Sequence, residues 1–326
     1  MKSVPLSQTE SRGDSLWRSI ASAAQTRGDF VRMACVLEAS APKVGNVHPS
    51  ASFNDLRFAD FVIAADRTAE AFADLTPEQG IGDAIQAAVN ASVAGTQTNV
   101  NLGIVLLLGP LISGEPDWQQ VSDQTFEAKM ATWQFNVAQG VRELDGKQGA
   151  AIAAAIAGAG AGGLREKSLG DDHPLDVTRT NAPSYDILAA MRIAAPRDRI
   201  AKQYADGFDD LFTVVVPTLR EHVARCGDLF TGIVHAHIAL IAATGDSLIA
   251  RKCGPAESQR VAALAQECLD VINEARSSES VSASICRLDA FLRSDGNRLN
   301  PGTTADLIAA AIYVVSRAST VTGQRP

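Results

Sequence analysis

Apolar residues recur at three- and four-residue spacing along almost the whole chain, and nowhere do they alternate in runs separated by hairpin turns. Trp17, Ile20, Ala21 and Ala24 share one helical face. Val31, Ala34, Val36 and Leu37 form a second set after a break expected at Arg27-Gly28-Asp29. Phe58 to Phe72, Asp83 to Ala94 and Asn101 to Ile112 read as the next three helices, the last of them deeply buried. Ser122 or Asp123 is expected to cap a helix through Met130, Phe135 and Val137. Pro183-Ser184 opens one near Leu188 and Met191. Pro196 suits the first turn of the next, which would carry Ile200, Tyr204, Phe208, Leu211 and Phe212. Further helices are expected at 228–243, 255–275, 280–292 and 301–317. Val214-Val215-Val216 is the best strand fragment, but Pro217 follows it and no partner run exists. Abundant Ala and only 5 % aromatics agree with helices. The expectation is an all-α, globular multi-helix bundle, mostly one domain, with a polar, turn-rich loop near residues 164–186.

A net charge of −8 argues against broad binding of nucleic acid or an anionic membrane, though it allows a local basic pocket. The five cysteines include no CxxC pair and are odd in number, so a disulfide framework or structural zinc site is not expected. The polar start of the chain lacks an apolar signal core. The apolar run at Ile104–Leu108, even extended to Ile112, is far short of the ~20 residues of a membrane span. A cytoplasmic protein without membrane contact is expected. Ala-rich helix faces permit a homodimer.

Two motifs match by chance. Gly158, Gly160 and Gly163 spell GxGxxG, but the preceding Ala-Ile-Ala-Ala tract is a helix pattern, whereas a dinucleotide-binding turn needs a strand there. His235 and His237 lie two apart, on different faces of a helix, and no third ligand has recognisable spacing.

Three segments carry more. Glu38 ends an apolar helix and leads into a Pro/Gly loop with Lys43, Gly45 and His48. Residues Thr96 to Gly103 form a polar patch, with Asn99 and Asn101, that feeds into the buried helix. Asn300-Pro301-Gly302-Thr303-Thr304-Ala305-Asp306 is a hydroxyl-rich helix start whose amides could receive a phosphate.

Together these segments resemble the triphosphoribosyl-dephospho-CoA synthase family, which serves citrate lyase and malonate decarboxylase. The family's glutamate followed by Pro-Lys-Pro-Gly-x-Val is matched by Glu38, Pro42, Lys43, Gly45 and Val47, with Val44 in place of the second proline. Phe53-Asn54-Asp55-Leu56 resembles its next acidic stretch. Its Asp-[Ser/Thr]-x-[Ile/Leu]-x-Arg resembles Asp246 to Arg251, and its Ser-Pro-Gly-Gly-Ser-Ala-Asp-Leu-Leu resembles Asn300 to Ile308. Its Asn-Thr-His-Lys-Gly is matched only in part, because Val100-Asn101-Leu102 stand where a histidine–lysine pair is usual. The run from Ala195 to Tyr204 and Ile249-Ala250-Arg251-Lys252 resemble a divergent branch found in archaea and methanopterin-using bacteria.

The resemblance implies a transferase domain over 30–318, preceded by an N-terminal segment and first helix (1–29) and followed by a tail (319–326). It implies that the 2′-hydroxyl of 3′-dephospho-CoA attacks C1′ of the ATP ribose, adenine leaves, and the triphosphate stays on the transferred ribose. Such a displacement needs a carboxylate at the reacting centre and cations at the phosphates. On this reading Glu38, Asp55 and Asp246 are the catalytic acids, Asp55 and Asp246 also holding Mg²⁺. Lys43, Arg251 and Lys252 bind phosphate. Gly45, Asn99, Asn101, Gly302, Thr303, Thr304 and Asp306 complete the substrate site. The alternatives are a phosphoribosyl-type transferase acting on a pterin cofactor precursor, or a nucleotide-binding protein without catalysis.

Overall fold

The computed structural model describes residues 12–73, 75, 79–160, 183–274 and 277–320. It contains fifteen α-helices among them and no strand; the only β pairing is the isolated bridges His48–Ala51 and Phe53–Leu56. The helices are α1 (Arg12–Ala21), α2 (Arg27–Ser40), α3 (Phe58–Ala73), α4 (Ile81–Thr96), α5 (Leu102–Ser113), α6 (Phe126–Arg142), α7 (Gly146–Gly158), α8 (Ile187–Ala194), α9 (Arg199–Asp206), α10 (Val216–Cys226), α11 (Leu229–Thr244), α12 (Ser247–Cys253), α13 (Pro255–Asn273), α14 (Ser278–Leu292) and α15 (Gly302–Ala318).

The centre is α15. From Leu307 to Ala318 every residue is buried, and the helix packs on α2, α5, α10, α11 and α12. An all-round apolar sequence such as LIAAAIYVV has no face to give to water, so it ends in the middle. Its C-terminal end is tied by Arg317, which makes two hydrogen bonds of 2.8 and 2.7 Å to the Glu115 carboxylate, to which the Tyr313 hydroxyl also donates.

Helix α5 is the second buried rod. Pro110 lies inside it and has no N–H for the carbonyl of Leu106. The Tyr204 hydroxyl takes that place, donating to Leu106 O at 2.7 Å, and Trp133 Nε1 donates to Leu111 O at 2.8 Å.

Two apolar clusters result. The larger surrounds α5 and α15; the smaller joins α11, α12, α13 and α14. The loop after α2 bridges them, with Ala41 in the first and Val44 in the second. Among the described residues no single helix is long and apolar enough to cross a membrane. Helices α11 and α12 would reach that length only together, and they are bent by 56°.

Several local expectations are corrected. Thr26 caps α2, so Arg27 opens a helix and does not break one. Thr125, not Ser122 or Asp123, caps α6. The helix expected from Pro196 to Phe212 starts later, at the Asp198 cap, and stops at Gly207 (φ 68) and Phe208 (φ 65). Val214 and Val215 belong to a π-helical turn, Leu211–Val215, that runs into α10. Helix α12 was not foreseen. Gly158 ends α7, a helix where a dinucleotide turn would need a strand, while Gly163 and most of the polar loop 164–186 lie outside the described residues.

Candidate active site

A cavity of about 480 Å³ opens between α2, α5, α8, α9, α12 and the start of α15. One wall is aliphatic, with Leu102, Ile104, Leu106, Ile156, Ile187 and Met191. The other carries the polar residues.

Glu38 is in the last turn of α2 and reaches the cavity, although it is only 3 % exposed. The chain then doubles back so that Lys43, fully buried, places Nζ 2.8 Å from Glu38 Oε1 and also donates to the Glu38 carbonyl. An ammonium at zero exposure is costly unless paired, so removal of either partner leaves an uncompensated charge. The turn depends on Gly45 at φ 72: a Cβ there would meet Leu292 Cβ at 2.8 Å and Pro301 Cδ at 2.9 Å. Its amide donates to Asp289 Oδ1 at 2.8 Å, and Arg293 holds the Asn46 carbonyl at 2.5 Å. Helix α14 thus fixes the loop that fixes Glu38.

Asp306 comes from the first turns of α15 and faces the same cavity. Its carboxylate lies against Gly103 of α5, where a Cβ would stand 2.0 Å from Oδ2. No hydrogen bond or ion pair satisfies it within the described residues. Burial pushes its carboxyl well above the usual carboxylate range, and the charges of Glu38 and Asp246 push it further. His237 is fully buried, and the Pro301 backbone is the polar group that faces its ring, in poor hydrogen-bond geometry. Burial and then the charge of Lys43 hold it neutral, well below the ordinary imidazole value.

The basic edge consists of Arg197, Arg251 and Lys252. Arg251 Nη1 lies 2.5 Å from Asp198 Oδ2, while Asp198 Oδ1 caps α9. Lys252 donates to Asn297 O at 3.2 Å, and its ammonium is pushed down by burial and by Arg251. Asp55, exposed, accepts from Asn297 Nδ2 at 2.9 Å.

Of the residues expected in the site, Glu38, Asp55, Asn99, Arg251, Lys252, Gly302, Thr303 and Asp306 line the cavity. Asp246, Lys43, Gly45, Asn101 and Thr304 do not, and each has a structural reason. Asp246, 2 % exposed, is saturated: Oδ1 caps α12 at Leu248 N (2.8 Å) and Ile249 N (3.2 Å), and Oδ2 accepts from Thr304 N (2.7 Å) and Thr304 Oγ1 (2.8 Å). It has no oxygen left for substrate or metal. Lys43 is spent on Glu38, and Gly45 shapes the loop. Asn101 is buried, with Nδ2 3.5 Å from Thr68 Oγ1. The amide cradle expected at Gly302-Thr303-Thr304 is largely closed, since Gly302 N donates to Asn300 O and Thr304 N to Asp246.

The expected metal pair Asp55 and Asp246 is therefore not assembled, and among the described residues no group of three or more His, Cys, Asp or Glu could hold an ion. Asp55, exposed at the basic edge of the cavity, is the carboxylate that fits a magnesium ion carried in on phosphate oxygens, which needs only one or two protein ligands. Asn46, Arg197, Asp198, Asn297 and Asn300 also line the cavity and were not foreseen as site residues. Asn46 and Asn300 lie in the first and third segments singled out in the sequence, and Arg197-Asp198 in the stretch resembling the divergent branch; Asn297 had no signal. Val100 and Leu102, at the usual histidine–lysine position, present apolar surface to it.

No curated protein matches the chain significantly. A crystal structure from Archaeoglobus fulgidus, provisionally assigned as a triphosphoribosyl-dephospho-CoA synthase, shares the fold at a TM-score of 0.54 with 21 % identity, over 77 % of this chain and 96 % of that one. The family model for ATP:dephospho-CoA triphosphoribosyl transferase matches residues 24–323, a span that contains every residue of the cavity. The chain belongs to the ATP:dephospho-CoA triphosphoribosyl transferase family, whose members move a triphosphoribosyl unit from ATP to dephospho-CoA.

Proposed function

We propose that the cavity between α2, α5 and α15 carries out this transfer, with Glu38 as base and Asp306 as acid. One observation supports the assignment above the rest. Two carboxyl groups share one cavity, yet one is paired with a buried ammonium and the other is driven toward its neutral form. A carboxyl paired with a buried cation and one driven neutral by burial can divide base and acid roles between them.

Glu38 would take the proton of the dephospho-CoA 2′-hydroxyl as its oxygen closes on C1′ of the ATP ribose. The C1′–N bond of ATP breaks, and its electron pair leaves with adenine. Protonated Asp306 would donate to a ring nitrogen of that base. The positive charge that develops at C1′, by analogy with glycoside hydrolysis, lies close to the negative charge of Glu38. Arg197, Arg251 and Lys252 would hold the triphosphate, replacing the usual histidine–lysine pair. Magnesium, when bound on the phosphates with Asp55 within reach, would reduce their charge. Asp55 would orient the basic edge through Asn297. A cytoplasmic location and a homodimer belong to the same reading and are open to fractionation and size-exclusion chromatography.

The test is adenine release from ATP with Mg²⁺, with and without 3′-dephospho-CoA, followed by chromatography and mass. Acceptor-dependent adenine with a triphosphoribosyl adduct is expected. Glu38→Gln should lower turnover about 10²–10⁴-fold. Because Asp306 acts protonated, wild-type kcat/KM should fall as pH rises through its raised pKa, and the residual activity of Asp306→Asn should lack that alkaline limb. Near-normal turnover in both variants would reject the assignment.

A further inference from the structure

Asn46 and Asn300 meet on the cavity wall in an arrangement that is half made. Asn46 Nδ2 donates to Asn300 Oδ1 at 2.6 Å. Two amides facing each other can exchange two such bonds, and here only one forms. The complementary atoms, acceptor Asn46 Oδ1 and donor Asn300 Nδ2, have no partner in the described structure, and Asn46 Oδ1 is buried as well. A buried amide oxygen without a donor costs about 1–3 kcal/mol, so the arrangement calls for an explanation.

The pair is not loose. Asn46 is 6 % exposed, its amide donates to Lys43 O at 3.2 Å, and its carbonyl is held by Arg293. Asn300 N donates to Asn297 O, and Gly302 N donates back to Asn300 O. The backbone N–H and C=O of both residues are occupied, and the unmet capacity lies in the side chains. Val47, Leu56 and Leu248 line the same cavity and are aliphatic neighbours suited to a flat ring. Lys43 links Asn46 to Glu38, and Asn300 lies six residues before Asp306.

We infer that Asn46 and Asn300 read the hydrogen-bonding edge of the donor's departing base, and so select adenine. Once the Asn46 amide turns far enough to bring its buried Oδ1 onto the cavity, Oδ1 accepts from the exocyclic N6 amine, while Asn300 Nδ2 donates to the adjacent ring nitrogen. This is the donor–acceptor pattern by which an amide side chain distinguishes adenine. A base with a carbonyl at C6 and a protonated N1 reverses both atoms, setting acceptor against acceptor and donor against donor. The inference rests on the reading of the cavity given above, because it takes the base nearest the two carboxyl groups to be the one that leaves.

ATP and ITP differ by that reversal alone, so base release from each, with dephospho-CoA as acceptor, tests it. Wild-type kcat/KM should favour ATP by about 10²-fold or more, as expected where a mismatch leaves buried polar groups unpaired. In Asn46→Ala and in Asn300→Ala the preference should fall to about tenfold or less, with the KM for dephospho-CoA unchanged. An unchanged ATP/ITP ratio in variants that unfold at the wild-type temperature overturns the inference. So does a raised KM for dephospho-CoA at constant ratio, which assigns the pair to the acceptor's base. Asn300, only half-buried, provides the usable variant if Asn46→Ala does not fold. Should the wild type release no base with either donor, the proposed reaction fails. Calorimetric binding of ATP against ITP, in wild type and Asn300→Ala, then decides the inference by itself.

Discussion

Asp306 is held in a form that suits chemistry and not stability. In the unfolded chain it titrates near 3.9, whereas in the fold burial and neighbouring negative charge raise it well above that. Between those two values the folded state binds a proton that the unfolded state has lost. Its contribution to stability is therefore fully present below the unfolded value and disappears as pH rises through the folded one. Asp306→Asn removes that dependence. The variant should be more stable than wild type at pH 8, by thermal melting, while its adenine release collapses, the usual exchange between activity and stability. Gly103 makes the complementary case. Gly103→Ala would set a methyl group 2.0 Å from Asp306 Oδ2, so the carboxyl or α5 must move. We expect turnover to fall about 10²-fold with overall folding retained, since small misplacement of a reacting group costs that much. A normal kcat in Gly103→Ala would show that Asp306 can act from another position. Neither role was legible beforehand. Asp306 reads in sequence as an acid suited to a helix start, and only packing shows that its carboxylate has been left without a partner against a glycine of another helix.

At the scale of the element, helix boundaries followed from local chemistry and interruptions did not. Asp228 caps α11 as its sequence suggests, because a side-chain oxygen can satisfy an open amide wherever it falls. The end of α9 is different. Phe208 adopts φ 65, which costs an ordinary residue roughly 1–2 kcal/mol. Its fully buried ring returns about 1.5–3 kcal/mol, and the tertiary core therefore overrides local preference. Gln203 makes the break tolerable by accepting from Leu211 N at 3.0 Å and donating to Asp210. Helix α5 shows the same logic for proline. The Leu106 carbonyl, deprived by Pro110, depends on a tyrosine nearly a hundred residues later. Tyr204→Phe should lower unfolding free energy by about 1–3 kcal/mol in denaturant titration, because it strands a buried acceptor. A change near zero would mean that water or a relaxed turn supplies the missing donor.

On the scale of the molecule, α12, which contributes to the smaller apolar cluster, and α15, which centres the larger, both line the cavity, and Asp246 fastens these two helices. Its carboxylate joins the start of α12 to the start of α15, while its backbone exchanges hydrogen bonds with Ser258 of α13 at 3.0 and 2.9 Å. Asp246 was expected to do chemistry because Asp246 to Arg251 resembles a family motif, although an acid at such a place is equally a helix cap. Saturation of both oxygens, visible only in three dimensions, distinguishes the two. The distinction is measurable. In Asp246→Asn the amide N–H₂ must face N–H donors on one side, either those of Leu248 and Ile249 or that of Thr304. Unfolding free energy should drop by about 3 kcal/mol or more, as for other disrupted buried networks. Hydrogen exchange should accelerate first in α12 and the first turn of α15, with α5 and the rest of α15 protected. Turnover should fall only to the extent that the basic edge on α12 loosens, which appears as a raised KM for ATP. Intact stability with kcat reduced as strongly as in Glu38→Gln would instead return Asp246 to the chemistry and require an open path from the cavity to its oxygens.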